Sequence, residues 1–209
     1  MIHSCQISYE YILDMKKEKE SSLMNKFNEH FKTVCNHKKY VFLNCLVAGM
    51  PIRGILHDLS KFSPTEFLES VKYFQGNRSP IDACKEVNGY SNAWMHHKGR
   101  NRHHYEYWQD NFDHGGVPLQ MPFEDALELI CDYLGAGMAY QKENFTYEQE
   151  YEWWKLKSSK PIAMHPQTKM FVELMLKQMA KCNSNQILRK KYAKKLYHIA
   201  EKNLKEPGK

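Results

Sequence analysis

Apolar residues recur along this chain at three- and four-residue intervals, and no segment alternates with the period of two that a half-buried strand requires. The spacing predicts an all-α protein. A long helix is expected over residues 22–48, with Phe27, Phe31, Val34, Cys35, Val41, Cys45 and Leu46 on its inner side, broken by Gly49-Met50-Pro51. A short helix follows over residues 52–60. Ser63-Pro64-Thr65-Glu66 has the form of a capping box, with Ser at the N-cap, Pro in the first turn and Glu three residues on, and opens a helix to about Phe74. A turn at 75–77 and a polar connection at 78–92 with one helical segment lead into 93–112, expected to be mostly helical and interrupted near Gly99. His114-Gly115-Gly116-Val117-Pro118 reads as a loop. Pro122 opens a helix through Met138, residues 147–157 and 166–181 form two more, and a basic helix closes the chain from about Asn185. Three parts are expected: a weakly patterned, charged lead over 1–24, a core over 25–145, and C-terminal helices with a basic tail over 146–209.

Composition narrows the class. The chain has 209 residues, 42% of them apolar and 13% aromatic, enough for one domain with a substantial core. With a mean hydropathy of −0.69 and no apolar run near 18 residues, a membrane span is excluded. Met1-Ile2-His3-Ser4-Cys5 carries neither a basic nor an apolar leader segment, so the expected location is cytoplasmic. The six cysteines are widely spaced, without Cys-x-x-Cys, and read as buried reduced thiols. The net charge of +6 is concentrated at one end. Residues 181–209 hold nine Lys or Arg against Glu201 and Glu206, a net +7, so the preceding residues sum to −1. Such a tail can bind nucleic acid. A solvated helix face is the favoured reading, because Leu188, Tyr192, Leu196, Ile199 and Ala200 keep a helical apolar stripe and no aromatic platform is interleaved.

The candidate chemistry lies in the histidines. Of eleven, six fall between positions 57 and 114. His57 is directly followed by Asp58. Neighbouring side chains on a helix do not face each other, so the pair reads less as a salt bridge than as two ligands drawn to one metal ion. His37, three residues after Val34, sits near the apolar face of the first long helix. Asp132 lies within Leu129-Ile130-Cys131-Asp132-Tyr133-Leu134, where burying a carboxylate is costly unless it is paired or coordinates a cation. Such a nitrogen and oxygen donor set suits iron or manganese better than a thiolate zinc site does. If 93–112 is helical, His97, Asn101, His104 and Trp108 share one face. His3, His30, His165 and His198 read as ordinary histidines, His114 as a loop residue, and Trp153 and Trp154 as packing.

The ordered series His37, His57-Asp58, Lys61, a histidine-rich segment and Asp132 resembles the HD superfamily of metal-dependent phosphohydrolases. His-Asp-Leu-Ser-Lys-Phe-Ser-Pro-x-Glu-Phe at 57–67, Ala-Trp-x-x-His at 93–97, Asn-x-His-His-x-x-Tyr-Trp at 101–108 and Cys-Asp at 131–132 look like an uncharacterised bacterial and phage branch. The resemblance implies an HD-like helical bundle with additional C-terminal helices. It also implies His37, His57, Asp58 and Asp132 as metal ligands, His97, His103 and His104 as ligands of a second metal, and Lys61 as a substrate contact. The double histidines depart from the usual second-metal signature and leave the count at one or two ions (Fe, Mn, Ni or Zn). The implied reaction is hydrolysis of a phosphorylated small molecule, with nucleotides among the candidates. Asp58 bridges the metals or takes a proton, Lys61, Arg100, Asn101 and Arg102 meet the substrate, and an imidazole of the His103-His104 pair protonates the leaving oxygen. A di-iron oxygenase of the same ligand order and a non-catalytic protein binding metal or nucleic acid are the rival readings; a homo-oligomer is compatible with each.

Overall fold

From Asp125 to Gly135 the chain has no exposed face, and this segment becomes the centre of the bundle. The computed structural model describes the backbone of residues 2–205 and the side chains of residues 19–203. The sequence-level readings of His3, Cys5, Lys205, Glu206 and Lys209 as side chains lie outside the described residues. Among the described residues the fold is all-α, with nine α-helices: α1 (Ile2–Val47), α2 (Pro51–Leu56), α3 (Pro64–Tyr73), α4 (Pro80–Asn88), α5 (Asn92–Lys98), α6 (Phe123–Gln141), α7 (Tyr147–Ser158), α8 (Pro166–Cys182) and α9 (Lys190–Lys205). None is long and apolar enough to cross a membrane.

The punctuation of the sequence explains most of these boundaries. Proline occupies the first turn of α2, α3, α4 and α8, where its missing N–H costs nothing. Ser63, Ser91 and Thr146 accept from the backbone N–H of Glu66, Trp94 and Gln149 and cap α3, α5 and α7. The lead expected over 1–24 continues the same helix as 25–47, so α1 starts twenty residues earlier than its apolar pattern indicates. Its buried face also differs. His30, Val34, His37, Val41 and Cys45 point inward, as does Ala48 in the turn that follows, whereas Phe27, Phe31, Cys35 and Leu46 are exposed.

Helix α6 packs along α1 on one side and against α7, α8 and α9 on the other. Val41, Cys45, Leu127, Ile130, Leu134, Trp154, Phe171 and Met175 form the heart of the core. Close approach of α1 and α6 depends on Gly135, where a Cβ would collide with Val41 Cγ2 and lie 3.0 Å from the Val41 backbone nitrogen. The basic helix α9 packs through Ala193, Tyr197 and Ala200, while Tyr192 and Ile199, expected in its stripe, are exposed. Some of its charge is matched, as in the 2.9 Å pair between Lys190 and Glu124. Cys45, Cys84 and Cys131 are buried free thiols as expected, but Cys35 and Cys182 are exposed.

The largest departure is at 99–112, where the expected helix does not form. Helix α5 ends at Lys98, where the His97 carbonyl accepts from the Arg100 and Asn101 amides and, at 2.9 Å, from Asn101 Nδ2 as the chain turns out of register. A short 3-10 turn at Tyr105–Tyr107 follows, and a two-residue antiparallel ribbon pairs Gln109 with Pro118 and Asp110 with Val117 around His114.

Replacing Gly135 by Ala is expected to destabilise the protein by about 1–3 kcal/mol through overpacking, despite alanine's better helix propensity. Urea denaturation of the two proteins measures the difference.

Candidate metal centre

The His57-Asp58 pair does not sit on a helix, contrary to the expectation for residues 52–60. Helix α2 stops at Leu56, His57 turns to an extended conformation (φ −51°, ψ 128°), and Asp58 adopts the left-handed region (φ 52°, ψ 31°) before a 3-10 turn over Leu59–Phe62. Asp is one of the few residues that tolerates this conformation. The break turns two adjacent side chains toward one point, which a continuous helix would splay apart. The Lys38 ammonium donates to the His57 carbonyl and, at 3.4 Å, to that of Ile55, both freed at the helix end. Gly54 lets α2 lie directly on α1, since a Cβ there would come within 2.8 Å of Cys45 Cβ. The His37 and His57 rings are thereby brought to 5.5 Å.

Asp58 is the hub. Its Oδ2 lies 3.1 Å from His57 Nε2 and 3.4 Å from His37 Nε2, and Asp132 Oδ1 lies 3.3 and 3.2 Å from the same two nitrogens. Its Oδ1 lies 3.3 Å from both His97 Nε2 and His103 Nε2, with His104 completing that side. Two donor sets thus share one carboxylate: His37, His57, Asp58 and Asp132, and Asp58, His97, His103 and His104. All seven residues are buried. The Nε2 atoms of His57, His103 and His104 and Oδ1 of Asp58 have no hydrogen-bond partner among the described residues. Buried polar atoms are normally paired, so unpaired lone pairs converging from four residues fit a divalent cation on each side of Asp58.

Neighbouring carboxylates orient these imidazoles. Glu128 Oε1 accepts from His57 Nδ1 at 3.0 Å and lies 3.5 Å from His103 Nδ1, while its Oε2 receives Arg53 at 2.7 Å. Arg53 also binds Asp125 at 2.8 Å. Glu66 takes His97 Nδ1 at 2.7 Å and His96 Nδ1 at 2.6 Å. Its amide completes the Ser63 cap, but its carboxylate serves the histidines and does not close the reciprocal half of the box. One turn on, Glu69 binds Ser91 Oγ and the Ala93 amide, fixing the start of α5 and with it His97. Fixing the outer ring nitrogen leaves the inner one free as a ligand.

The electrostatics separate these groups: burial would lower the His57 pKa, but Asp58, Asp132 and Glu128 raise it well above the usual imidazole range. Burial alone would push the Asp58 carboxyl up, but His57, Lys61, His97 and His103 hold it well below the usual carboxylate range. Burial works the same way on Asp132, and the neighbouring His37 and His57 outweigh it, holding its carboxyl well below the usual carboxylate range. Burial, reinforced by His57, lowers the His103 pKa to about 4, and burial with His103 holds that of His104 well below the usual imidazole range. Both rings are neutral at pH 7, the form that binds a metal. Lys61 Nζ lies 2.6 Å from Asp58 Oδ2, and Asp58 and Asp132 raise its pKa against the effect of burial.

A cavity of about 500 Å³ opens onto this cluster, lined by His37, Lys61, His97, His104 and Asp132 among others. The sequence-predicted residues divide accordingly. His37, His57, Asp58, His97, His104 and Asp132 meet as expected, and Lys61 faces the cavity. His103 joins the second donor set and does not line the cavity, so the acid role expected of it has no access to a leaving group. Arg100, Asn101 and Arg102 are not cavity residues. Because the chain leaves the helix at Gly99, Arg100 donates back to the His96 carbonyl, Asn101 binds Ser60 Oγ at 3.0 Å, and Arg102 pairs with Asp125 and covers Trp108. Trp94 lines the cavity, and Trp153 stands at its wall, not between helices as Trp154 does. His30 is buried against Phe67 and Phe74, and His114 is an exposed loop residue. Glu66, Glu128 and Arg53 were not foreseen. Glu128 lies four residues before Asp132 in the same apolar segment, and its spacing could have disclosed it.

Fold and site together define an all-α protein with a buried histidine–carboxylate cluster whose residues could hold metal ions. The chain belongs to a family of unknown function, DUF5662, which matches residues 26–178 and so spans every residue of the centre. No curated protein and no solved structure is detectably similar to it.

Glu66→Gln and Glu128→Gln are each expected to weaken divalent-metal binding by about 10–100-fold. Competition against a chelating dye reads the affinity, and Glu128→Gln is expected to give the larger loss because Glu128 faces two imidazoles of the donor sets, His57 and His103, whereas of the two that Glu66 holds only His97 belongs to one. Unchanged affinity in both variants would remove the orienting role from these residues.

Proposed function

We propose that this chain is a metal-dependent hydrolase of the HD type that acts on a phosphorylated small molecule. The observation that supports the reading most is the sharing of Asp58 by two buried donor sets beside a cavity to which Lys61 brings a cation. The order of ligands along the chain is that of the superfamily which the sequence resembles. His37, His57, Asp58 and Asp132 would hold one ion, and Asp58, His97, His103 and His104 the other.

Two divalent ions bound there would lower the pKa of a water to near neutrality and polarise a phosphoryl oxygen. The protein's own groups prepare the rest. Asp58 turns one oxygen toward each donor set, so with ions bound it would be a ligand common to both sets and not a free base. Lys61 is anchored by Asp58 and partly exposed to the cavity, which directs its remaining N–H groups at a substrate oxygen and offsets the charge that develops on it. His97 and His104 stand at the boundary between centre and cavity, and Trp94 packs 4.9 Å from the His104 ring, keeping that side dry.

Metal analysis of freshly purified protein is expected to find about two equivalents of a divalent transition metal, with turnover on a panel of phosphomonoesters and phosphodiesters. Asp58→Asn is expected to lose both the metal and the turnover. Lys61→Met is expected to retain the metal and to lower kcat by about 10²–10³-fold. Full turnover in Asp58→Asn would overturn the reading. Two irons with a mixed-valence signal and oxygen consumption in place of hydrolysis would replace it with the oxygenase.

A further inference from the structure

The cavity has a second polar region that the metal centre does not use. It is formed where α6 and α7 meet the turn after His104, and Tyr105, Glu106, Tyr133, Glu150, Trp153 and Lys157 line it. Lys157 Nζ lies 4.8, 5.0 and 5.6 Å from the ring centres of Tyr133, Trp153 and Tyr105. Its ammonium makes no ion pair with any described carboxylate. The hydroxyl of Tyr133, a buried residue, and Oε2 of Glu106 are shielded from solvent without a hydrogen-bond partner among the described residues. Burial, reinforced by Asp132, raises the Glu150 carboxyl to about 8, so it adds an O–H donor at neutral pH.

We propose that this region is a specificity subsite for a hydroxyl-bearing ring, the body of a sugar-like substrate whose phosphate reaches the metal centre. The donor and acceptor balance leads there. Lys157, Tyr133 and Glu150 donate while Glu106 accepts, a mixture matched by hydroxyls, which do both. A second anionic group would meet Glu106, and an apolar one would leave the Tyr133 hydroxyl and the Glu106 oxygen unpaired, the strongest form of discrimination a site can apply. The faces of Tyr133, Trp153 and Tyr105 suit the C–H surface of such a ring, and about 500 Å³ accommodates one ring and its phosphate. The hydroxylated ring can be a free sugar or the ribose of a nucleotide. The proposal rests on the phosphoester reading only for the position of the phosphate.

Calorimetric titration of the metal-loaded protein tests it with three non-hydrolysable ligands: a glucose phosphonate, an adenosine phosphonate and butylphosphonate. At least one hydroxylated ligand is expected to bind about tenfold or more tightly than butylphosphonate, and the tighter of the two identifies the source of the ring. Tyr133→Phe and Lys157→Met are each expected to shrink that ratio by roughly threefold to tenfold. Tyr133→Phe removes one oxygen and keeps the ring, so its effect is not one of packing. Equal affinity for all three ligands, no binding of either hydroxylated one, or variants that weaken all three in proportion would overturn the subsite. A hydroxylated ligand that binds preferentially to a protein hydrolysing no phosphoester would support the subsite and remove the hydrolase. Hydrolysis without any such preference would do the reverse.

Discussion

Burying the Asp58 carboxylate is the constraint from which the rest of the site follows. The side chain has no exposed surface, and an isolated carboxylate in that position would be prohibitively costly. Lys61 and the imidazoles of His37, His57, His97 and His103 surround it, arriving from α1, the turn after α2, α5 and the loop that follows. The backbone contributes as well. Only because Asp58 takes a left-handed conformation can its two oxygens point to two separate donor sets while His57 beside it joins one of them. Removing the carboxylate would therefore leave imidazoles, ammonium and strained turn without a common partner.

Helix α6 supplies the counterweight. It is buried on nearly every side, as expected of a helix at the centre of a bundle, yet Asp125, Glu128 and Asp132 run along one stripe of it. Each is accounted for: Asp125 by Arg53 and Arg102, Glu128 by Arg53 and His57, Asp132 by His37 and His57. The same helix carries Gly135, which brings α1 close, and Tyr133, which faces the cavity. Packing and chemistry are therefore not separable here. A change that shifts α6 against α1 moves Asp132 relative to His37.

How much of this was legible in the chain depends on whether a signal was local. Proline and serine mark helix starts by chemistry internal to one turn, and α3 and α8 begin where Pro64 and Pro166 indicate. His37 and Asp132 were legible because their apolar neighbours fix the face they occupy. The break at His57-Asp58 was not, since the left-handed Asp58 is stabilised by partners from distant segments. Nor was the loop at 100–104, where Asn101 folds back onto the end of α5 and onto Ser60, and Arg100 and Arg102 leave the cavity. Glu66 was legible as a capping residue and hidden as a histidine partner, because its amide serves the cap while its carboxylate faces α5. On α1, Phe27 and Phe31 matched the apolar spacing but fall beside the buried face, since His30, Val34 and His37 hold it.

The donor residues are drawn from α1, the His57-Asp58 break, α5, the loop at His103-His104 and α6, five segments that span almost a hundred positions of chain. Local hydrogen bonding secures only some of them. Helix α5 is held at its start by Glu69 and at its end by Glu66, whereas His103 and His104 lie on irregular backbone and present unpaired Nε2 atoms. An ion on that side of Asp58 would bind this loop to the helices as well as serve chemistry, because the free energy of filling a buried donor set is also free energy of folding. Tyr105 and Glu106 directly follow His104 and belong to the second polar region of the cavity. Ordering of the loop through His103 and His104 would therefore also set the position of that region, and on the proposed reading substrate selection and metal occupancy would share one short stretch of chain.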